Sequence, residues 1–285
     1  MGCVDSKSSI SIEERAIMIA EEELGYGNKY SRDVDFVHRK YSVSGLINAE
    51  QWRDISNSLL IKSENTPRNA KIEDFFSSFK SIDGKLPLRS LLIIGVLLSE
   101  GRASDKARLL FEIYDIKNQK SLPKSIIQAL VDEMLDISIN KLPILVCPHH
   151  VANEDEVKKY LKDLRGYQEV SKTAIIARFL GTGEGEEQEI SLSVFVKNFE
   201  DGVTARLLTA HGLREFVYCQ KPVRKSRDYL TKNDKKKAKD DGKDKKEEKT
   251  SSDSSDSSSS EDKKKKSKNQ KNSEEVQPEQ PAEKA

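Results

Sequence analysis

The sequence predicts an all-α protein of two lobes, each a pair of helix-loop-helix units joined by a short two-stranded bridge, with a disordered C-terminal tail. Three observations predict this fold. Amphipathic helical patterns alternate with short polar or glycine-containing loops, and each loop carries one hydrophobic residue shortly before the next helix begins. From about residue 231 onward the only strongly apolar residue is Val276. A segment so poor in apolar residues cannot bury enough surface to fold.

Residues 1–10 predict a lipidated segment. The start Met1-Gly2-Cys3-Val4-Asp5-Ser6 fits the pattern in which Gly2 becomes an N-myristoylation site once Met1 is removed. Cys3, beside it, is a candidate palmitoylation site. Because one myristoyl chain gives only marginal, reversible membrane binding, a second acyl chain decides whether the protein stays on a membrane. The segment therefore predicts a protein at the cytoplasmic face of a membrane, or in the cytoplasm; the alternative is a chance match with an ordinary thiol at Cys3.

Residues 11–27 predict an N-terminal helix. Ser11 is followed three residues later by Glu14, which is the pattern of a capping box, and Gly25 ends the helical periodicity. The helix precedes the first of the two lobes.

The predicted lobes cover residues 28–100 and 101–221, and the second carries an insertion near 137–166 because the last two loops are almost twice as far apart as the others. Residues 222–285 are the charged Lys/Asp/Glu/Ser tail. One hydrophobic residue in each loop is expected to pair with its counterpart in a short bridge. These residues are Ile47, Leu86, Leu122 and Ile190.

The segment from Leu91 to Leu98 is apolar on nearly every side and must be covered on two sides. We expect both covers to lie within the chain, and a partner's helix is the alternative. The candidate cover is an apolar stripe near residue 210. Its members are Leu207, Leu208, Leu213, Phe216 and Val217.

The chain resembles the EF-hand superfamily of neuronal calcium sensors, calcineurin B and calcineurin B-like proteins over about residues 1–220. The resemblance rests on the N-terminal Met-Gly-Cys, on Gly45-Leu46-Ile47-Asn48, and on the segments that run from Glu100 to Asp115 and from Ala205 to Glu215. It implies calcium-type loops and a protein partner. That partner would be a segment of a kinase, phosphatase or channel, bound as an amphipathic helix in a groove.

The third loop is not expected to bind calcium. A calcium loop needs oxygen ligands at positions 1, 3, 5 and 12, the last a bidentate Glu, and Gly at position 6. With Asp115 at position 1, position 3 is Lys117, position 5 is Gln119 and position 12 is Ile126. Position 6 is Lys120. Only Asp115 is a proper ligand, and a lysine ammonium in the ligand ring repels a divalent cation.

The other loops are also poor in ligands. The first has Lys40 at position 1 and Gln51 at position 12, the second has Ser90 at position 12, and the fourth has Val194 there. An acidic run in the fourth loop could attract cations loosely. The residual calcium-loop candidates are Asp115, Gln119, Glu184, Glu186, Glu187 and Glu189. No cofactor is therefore expected, and calcium is the alternative.

No catalytic residues and no metal site are predicted. Cys147-Pro148-His149-His150 offers metal-capable side chains, but adjacent histidines beside a proline are awkward for a tetrahedral ion, and the run is interpreted as an incidental loop. The sequence contains no nucleophile elbow and no kinase signature. A net charge of +1 does not indicate a nucleic-acid partner.

The sequence thus favours a non-catalytic, membrane-anchored EF-hand-like adaptor or regulatory protein that binds a partner protein without calcium. The alternative is a calcium sensor that uses a residual site to regulate a kinase, phosphatase or channel. A metal-dependent enzyme that uses the Cys147 region is a third hypothesis.

Overall fold

The structure is a computed structural model, and it describes residues 10–61, 67–150, 153–181 and 189–220. Within these ranges the protein is mostly helical, with two short antiparallel sheets. The prediction of an all-α protein with short two-stranded bridges is confirmed at this level. The predicted tail at 222–285 lies outside the described residues.

In the first half of the chain, helices alternate with two very short strands. The elements are α1 (Ile12–Glu22), α2 (Ser31–Tyr41), β1 (Leu46–Ile47), α3 (Ala49–Ser58), α4 (Pro67–Ser77), β2 (Leu86–Pro87) and α5 (Leu88–Leu98).

The second half repeats this order with an irregular segment in the middle, where a π-helical turn is followed by a 3₁₀ turn. The elements are α6 (Ala103–Tyr114), β3 (Ser121–Pro123), α7 (Lys124–Leu135), the π-helical turn (Asp136–Lys141), the 3₁₀ turn (Leu142–Leu145), α8 (Glu154–Leu180), β4 (Glu189–Ser191), α9 (Leu192–Lys197), α10 (Gly202–Arg206) and α11 (Ala210–Cys219).

Side-chain caps fix where the early helices begin. The Ser11 side chain accepts a hydrogen bond from the Glu14 amide at the start of α1. Glu14 does not complete the predicted capping box, because its carboxylate turns into the protein interior toward Arg214. A reciprocal capping box does form at α3, between Asn48 and Gln51.

The two sheets join loops that are distant in sequence. β1 pairs with β2 so that Ile47 lies opposite Leu86, and β3 pairs with β4 so that Leu122 lies opposite Ile190. All four side chains are buried. Each bridge therefore presents one pair of predicted hydrophobic residues to the core.

Helix α5 is buried along almost its whole length, as its composition requires. It packs chiefly on α2, with α6 and α7 on its other sides. Its approach to α2 is close: a Cβ added at Gly95 would lie 2.6 Å from Val34 Cγ1. The expected cover within the chain is confirmed, and α11, which carries part of the proposed apolar stripe, is not among its main sources. Helix α11 packs mainly on α8 and on the π-helical turn.

The predicted insertion near 137–166 contains the π-helical turn, the 3₁₀ turn and the first part of α8. The buried residues Ile137, Ile139 and Leu142 belong to the same continuous core as the surrounding helices. Helix α8 begins at the Asn153 cap and ends at Gly181, whose φ of 65° suits glycine. The segment therefore builds core between α7 and α8.

Candidate functional site

Asp115 holds the third loop in shape. Its two carboxylate oxygens accept hydrogen bonds from the backbone amides of Gln119 (2.7 Å) and Lys120 (2.8 Å). These amides orient toward the carboxylate and offset part of its charge. The strongest residual calcium ligand thus makes contacts within the chain, and the loop has a hydrogen-bonded shape of its own.

Lys120 occupies the loop position where a calcium loop has glycine, and its backbone keeps the conformation that glycine favours. Its φ is 60°, and that of Asn118 is 54°. A left-handed conformation costs a residue other than glycine roughly 1–2 kcal/mol. The loop therefore places two residues other than glycine in the left-handed region, and one of them, Lys120, carries an ammonium group.

None of the side chains at position 12 of the four loops is a carboxylate, and three of the four make contacts within the protein. Gln51 Oε1 accepts a hydrogen bond from the backbone N–H of Asn48 at 2.8 Å. Ser90 Oγ donates a hydrogen bond to the Glu133 carboxylate at 2.8 Å. Ile126 packs against the hydrophobic core, and Val194 is 44% exposed on α9. In none of the four loops does this position supply the bidentate carboxylate that a calcium ion needs.

The fourth loop is described only in part. Glu184, Glu186 and Glu187 lie outside the described residues, so their candidacy as ligands stays a prediction. Glu189 lies in β4, and its Oε2 accepts a hydrogen bond from Ser121 Oγ at 2.9 Å across the sheet. This contact ties the third loop to the fourth.

A cleft of about 480 Å³ lies between α3 and α4. Its apolar part includes the side chains of Trp52 and Phe76, whose ring centroids are 4.2 Å apart. Charged residues that are exposed to solvent surround this part. The lining residues are Trp52, Arg53, Ser56, Asn57, Ile61, Ile72, Glu73, Phe76, Ser77 and Lys80.

A buried charged cluster joins the first and last described helices. Arg214 on α11 has no exposed surface, and it donates to Glu14 Oε1 at 2.9 Å and to Glu21 Oε1 at 2.6 Å, both on α1. Tyr160 on α8 donates to Glu14 Oε2 at 2.9 Å, and His211 Nδ1 lies 2.7 Å from Glu14 Oε1. The cluster fixes α1, α8 and α11 to one another.

The protonation of this cluster follows from burial and pairing. Burial acts to raise the pKa of Glu14, but the hydrogen bond from His211 and the charge of Arg214 hold that pKa below its ordinary value. Burial raises the pKa of Glu21, and the nearby Arg214 offsets only part of this effect. The hydrogen bond to Glu14 raises the pKa of His211. Glu14 is thus the anionic centre of the cluster.

Sequence reasoning missed this cluster. Glu14 stands three residues after Ser11, and this spacing predicts a helix cap rather than a buried ion pair. Arg214 and Glu14 are about 200 residues apart in the chain, and no local pattern couples them. An arginine inside the apolar stripe of α11 was the available hint, since a buried charge needs a partner.

A second cluster contains Glu23 together with His149 and His150, which lie far from Glu23 in the sequence. Glu23 follows the end of α1, and its carboxylate lies beside the imidazoles of His149 and His150. Sequence reasoning treated these histidines as incidental and did not foresee Glu23 as their neighbour.

Gly2 and Cys3, the predicted lipidation sites, lie outside the described residues, so lipidation stays a prediction. Across the part of the chain that the structure describes, no helix has both the length and the apolar character needed to cross a bilayer.

Neither a scan against protein-family models nor a search of curated proteins finds a match for this chain.

Proposed function

We propose that this protein is a non-catalytic, membrane-anchored EF-hand-like adaptor that binds a partner protein without calcium. One observation carries the proposal: the loops pair through buried hydrophobic residues, while the side chains at position 12 cap a helix, donate to Glu133, pack into the core or face solvent. We interpret these loops as EF-hand-like units that keep the hydrophobic part of the pattern and have lost the coordinating carboxylate at position 12.

This arrangement favours a constitutive protein over a switch. In an EF-hand sensor, calcium binding drives the paired helices from a closed to an open arrangement. Here the Asp115 carboxylate accepts hydrogen bonds from two backbone amides, and Ile190 packs opposite Leu122 in the bridge. We infer that packing holds the lobes in one state, because position 12 of the loops supplies no carboxylate through which calcium could change that state.

The cleft between α3 and α4 is the proposed partner site. It combines an apolar part at Trp52 and Phe76 with exposed charges of both signs at Arg53, Glu73 and Lys80. An amphipathic helix from a kinase, phosphatase or channel would place apolar side chains against the rings and polar side chains against the charges.

The N-terminal segment supplies the proposed membrane contact. Myristate on Gly2 gives weak, reversible binding, and palmitate on Cys3 adds the second chain that stable anchoring needs. Because position 12 of the loops supplies no carboxylate through which calcium could drive a release, we infer that the anchor is constitutive and is tuned by the acylation of Cys3.

Affinity capture from membrane fractions with full-length bait tests the proposal. The bait is wild type, Ser56→Arg, which places a long side chain inside the cleft, or Ser58→Arg, a matched change on the exposed surface of the same helix. We expect a partner that wild type and Ser58→Arg retain and Ser56→Arg loses, equally in calcium and in chelator. Capture that requires calcium would identify a sensor instead.

A second comparison tests the anchor separately. Gly2→Ala removes the myristoylation site without changing the cleft. We expect the variant to leave the membrane fraction while it still captures the partner from detergent extracts. If Gly2→Ala remains as membrane-bound as wild type, the anchoring part of the proposal is wrong.

A further inference from the structure

We propose that Glu23, His149 and His150 form a binding site for a divalent transition-metal ion such as Zn²⁺. Their donor atoms, one from each side chain, all lie within 4.8 Å of one another. Glu23 Oε1 is 3.2 Å from His150 Nε2 and 3.6 Å from His149 Nε2. Two donors on one tetrahedral zinc ion, each bound at about 2.0–2.2 Å, are separated by about 3.4 Å. Both separations from the Glu23 carboxylate match this spacing.

The burial of His150 also points to a bound ion. Its side chain is only 1% exposed, and its Nε2 is buried without a hydrogen-bond partner. The 3.2 Å to Glu23 Oε1 is short enough for an ion pair, yet the two groups are not aligned as a hydrogen bond. A buried polar atom without such a partner requires an explanation. An ion placed between the imidazole and the carboxylate would provide one.

The backbone around the site favours a cation. Glu23 is the C-cap residue of α1, and no basic residue occupies the last turn of that helix. The C-terminal end of a helix carries partial negative charge, which attracts cations. The other two donors are held by a tight turn in which the His150 amide donates to the Cys147 carbonyl at 2.9 Å.

The donor types select the class of metal. Two imidazoles and one carboxylate suit zinc and its neighbours in the first transition series, whereas calcium and magnesium prefer sites made of oxygen alone. Three protein ligands leave a fourth position for water. Cys147 is not one of the ligands, since its Sγ lies 3.5 Å from the Leu145 carbonyl, to which it donates.

Binding requires one local rearrangement. The Cys147 amide donates to His150 Nδ1 at 2.9 Å, which leaves the proton of the neutral ring on Nε2. A metal on Nε2 needs that proton on Nδ1 instead, so the Cys147 amide must turn away. Metal binding is thus coupled to a movement of the 147–150 turn, and the ion would link this turn to the end of α1.

Calorimetric titration of the full-length, reduced protein with Zn²⁺ tests the site, with Mg²⁺ as the comparison ion. The variants are His149→Ala, Glu23→Gln and the matched control Glu22→Gln, which removes an exposed carboxylate one residue away. Loss of a group that merely supports a ligand already weakens metal binding by about ten- to a hundredfold. We therefore expect saturable Zn²⁺ uptake that His149→Ala and Glu23→Gln each weaken by at least tenfold.

The control variant Glu22→Gln and the amide NMR signal of Cys147 show whether Zn²⁺ binds at this site. Glu22→Gln should bind Zn²⁺ as wild type does, and His149 is exposed, so its loss should leave the fold intact. In an amide NMR spectrum, Zn²⁺ should shift the Cys147 resonance more than resonances far from the turn. Absence of saturable Zn²⁺ binding, or binding that survives both ligand substitutions, would overturn the proposal.

Discussion

Arg214 and Glu14 form a buried ion pair that joins the last described helix to the first, with Nη2 of the arginine 2.9 Å from Oε1 of the glutamate. The arginine has no exposed surface, and the glutamate is 4% exposed. An ion pair so far from water is stabilising only when its remaining hydrogen-bonding groups are satisfied. Here Glu21, Tyr160 and His211 help to satisfy them.

Replacing Arg214 by leucine should destabilise the protein strongly. The change leaves Glu14 and Glu21 buried without their cation, and breaking a buried pair by removing one partner costs about 3–5 kcal/mol. The measurement is the free energy of unfolding in urea at neutral pH. The matched control is Arg206→Leu, whose guanidinium is exposed and 3.8 Å from Glu215; it should cost less than about 1 kcal/mol. Equal effects of the two changes would contradict the role given to the cluster.

Stability should fall as the pH rises through the titration of His211. Its pKa is raised in the folded protein by the hydrogen bond to Glu14, so the stabilisation is complete below the unfolded value of about 6.5 and is lost as the pH rises through the folded value. Urea midpoints between about pH 6 and pH 8 should decrease for wild type. His211→Gln should reduce this decrease, and an unchanged slope would argue against the interaction.

Lys120→Gly should stabilise the third loop. Lys120 adopts a φ of 60°, and glycine relieves the strain of that conformation, although it adds entropy to the unfolded chain. We expect a gain of about 0.5 kcal/mol in the free energy of unfolding. Lys117→Gly, in the same loop at a position without positive φ, is the control and should lose a similar amount. If both variants lower the free energy of unfolding, the left-handed conformation of Lys120 is absent in solution.

Ile190→Ala should weaken the second bridge. Ile190 is 2% exposed and lies opposite Leu122, so its truncation leaves a cavity in the core that costs about 2–5 kcal/mol. Ile116→Ala, at a side chain that is 90% exposed, is the matched control and should be near neutral. A small effect at both positions would mean that the bridge does not contribute to stability.

Local sequence patterns predicted the local structure well. Ser11 caps the start of α1 as predicted, and one hydrophobic residue per loop was enough to locate both bridges. The end of α1 was predicted too late: the helix stops at Glu22 with Glu23 as its C-cap, and Gly25 lies in the turn that follows. Apolar residues on every side of α5 predicted that it is covered within the chain, and α2, α6 and α7 cover it. These features depend on residues that are close together in sequence.

Interactions between distant segments could not be predicted in the same way. Glu14 fits a capping box by its spacing, but its carboxylate pairs instead with the buried Arg214, about 200 residues away in the chain. Likewise, Glu23 and the two adjacent histidines meet because the turn at 147–150 folds back to the end of α1. The hydrophobic periodicity of the sequence predicts neither of these two contacts. The loop ligands at Gly183 to Gln188 lie outside the described residues and remain predictions.

A calorimetric titration of the full-length protein with calcium, in the presence of magnesium, tests directly whether the loops bind the ion. We expect no saturable binding in the sensor range, up to about 10 µM calcium, and no change in the fluorescence of Trp52, the only tryptophan. Saturable calcium binding in that range, accompanied by a tryptophan shift, would contradict the account and identify the protein as a calcium sensor.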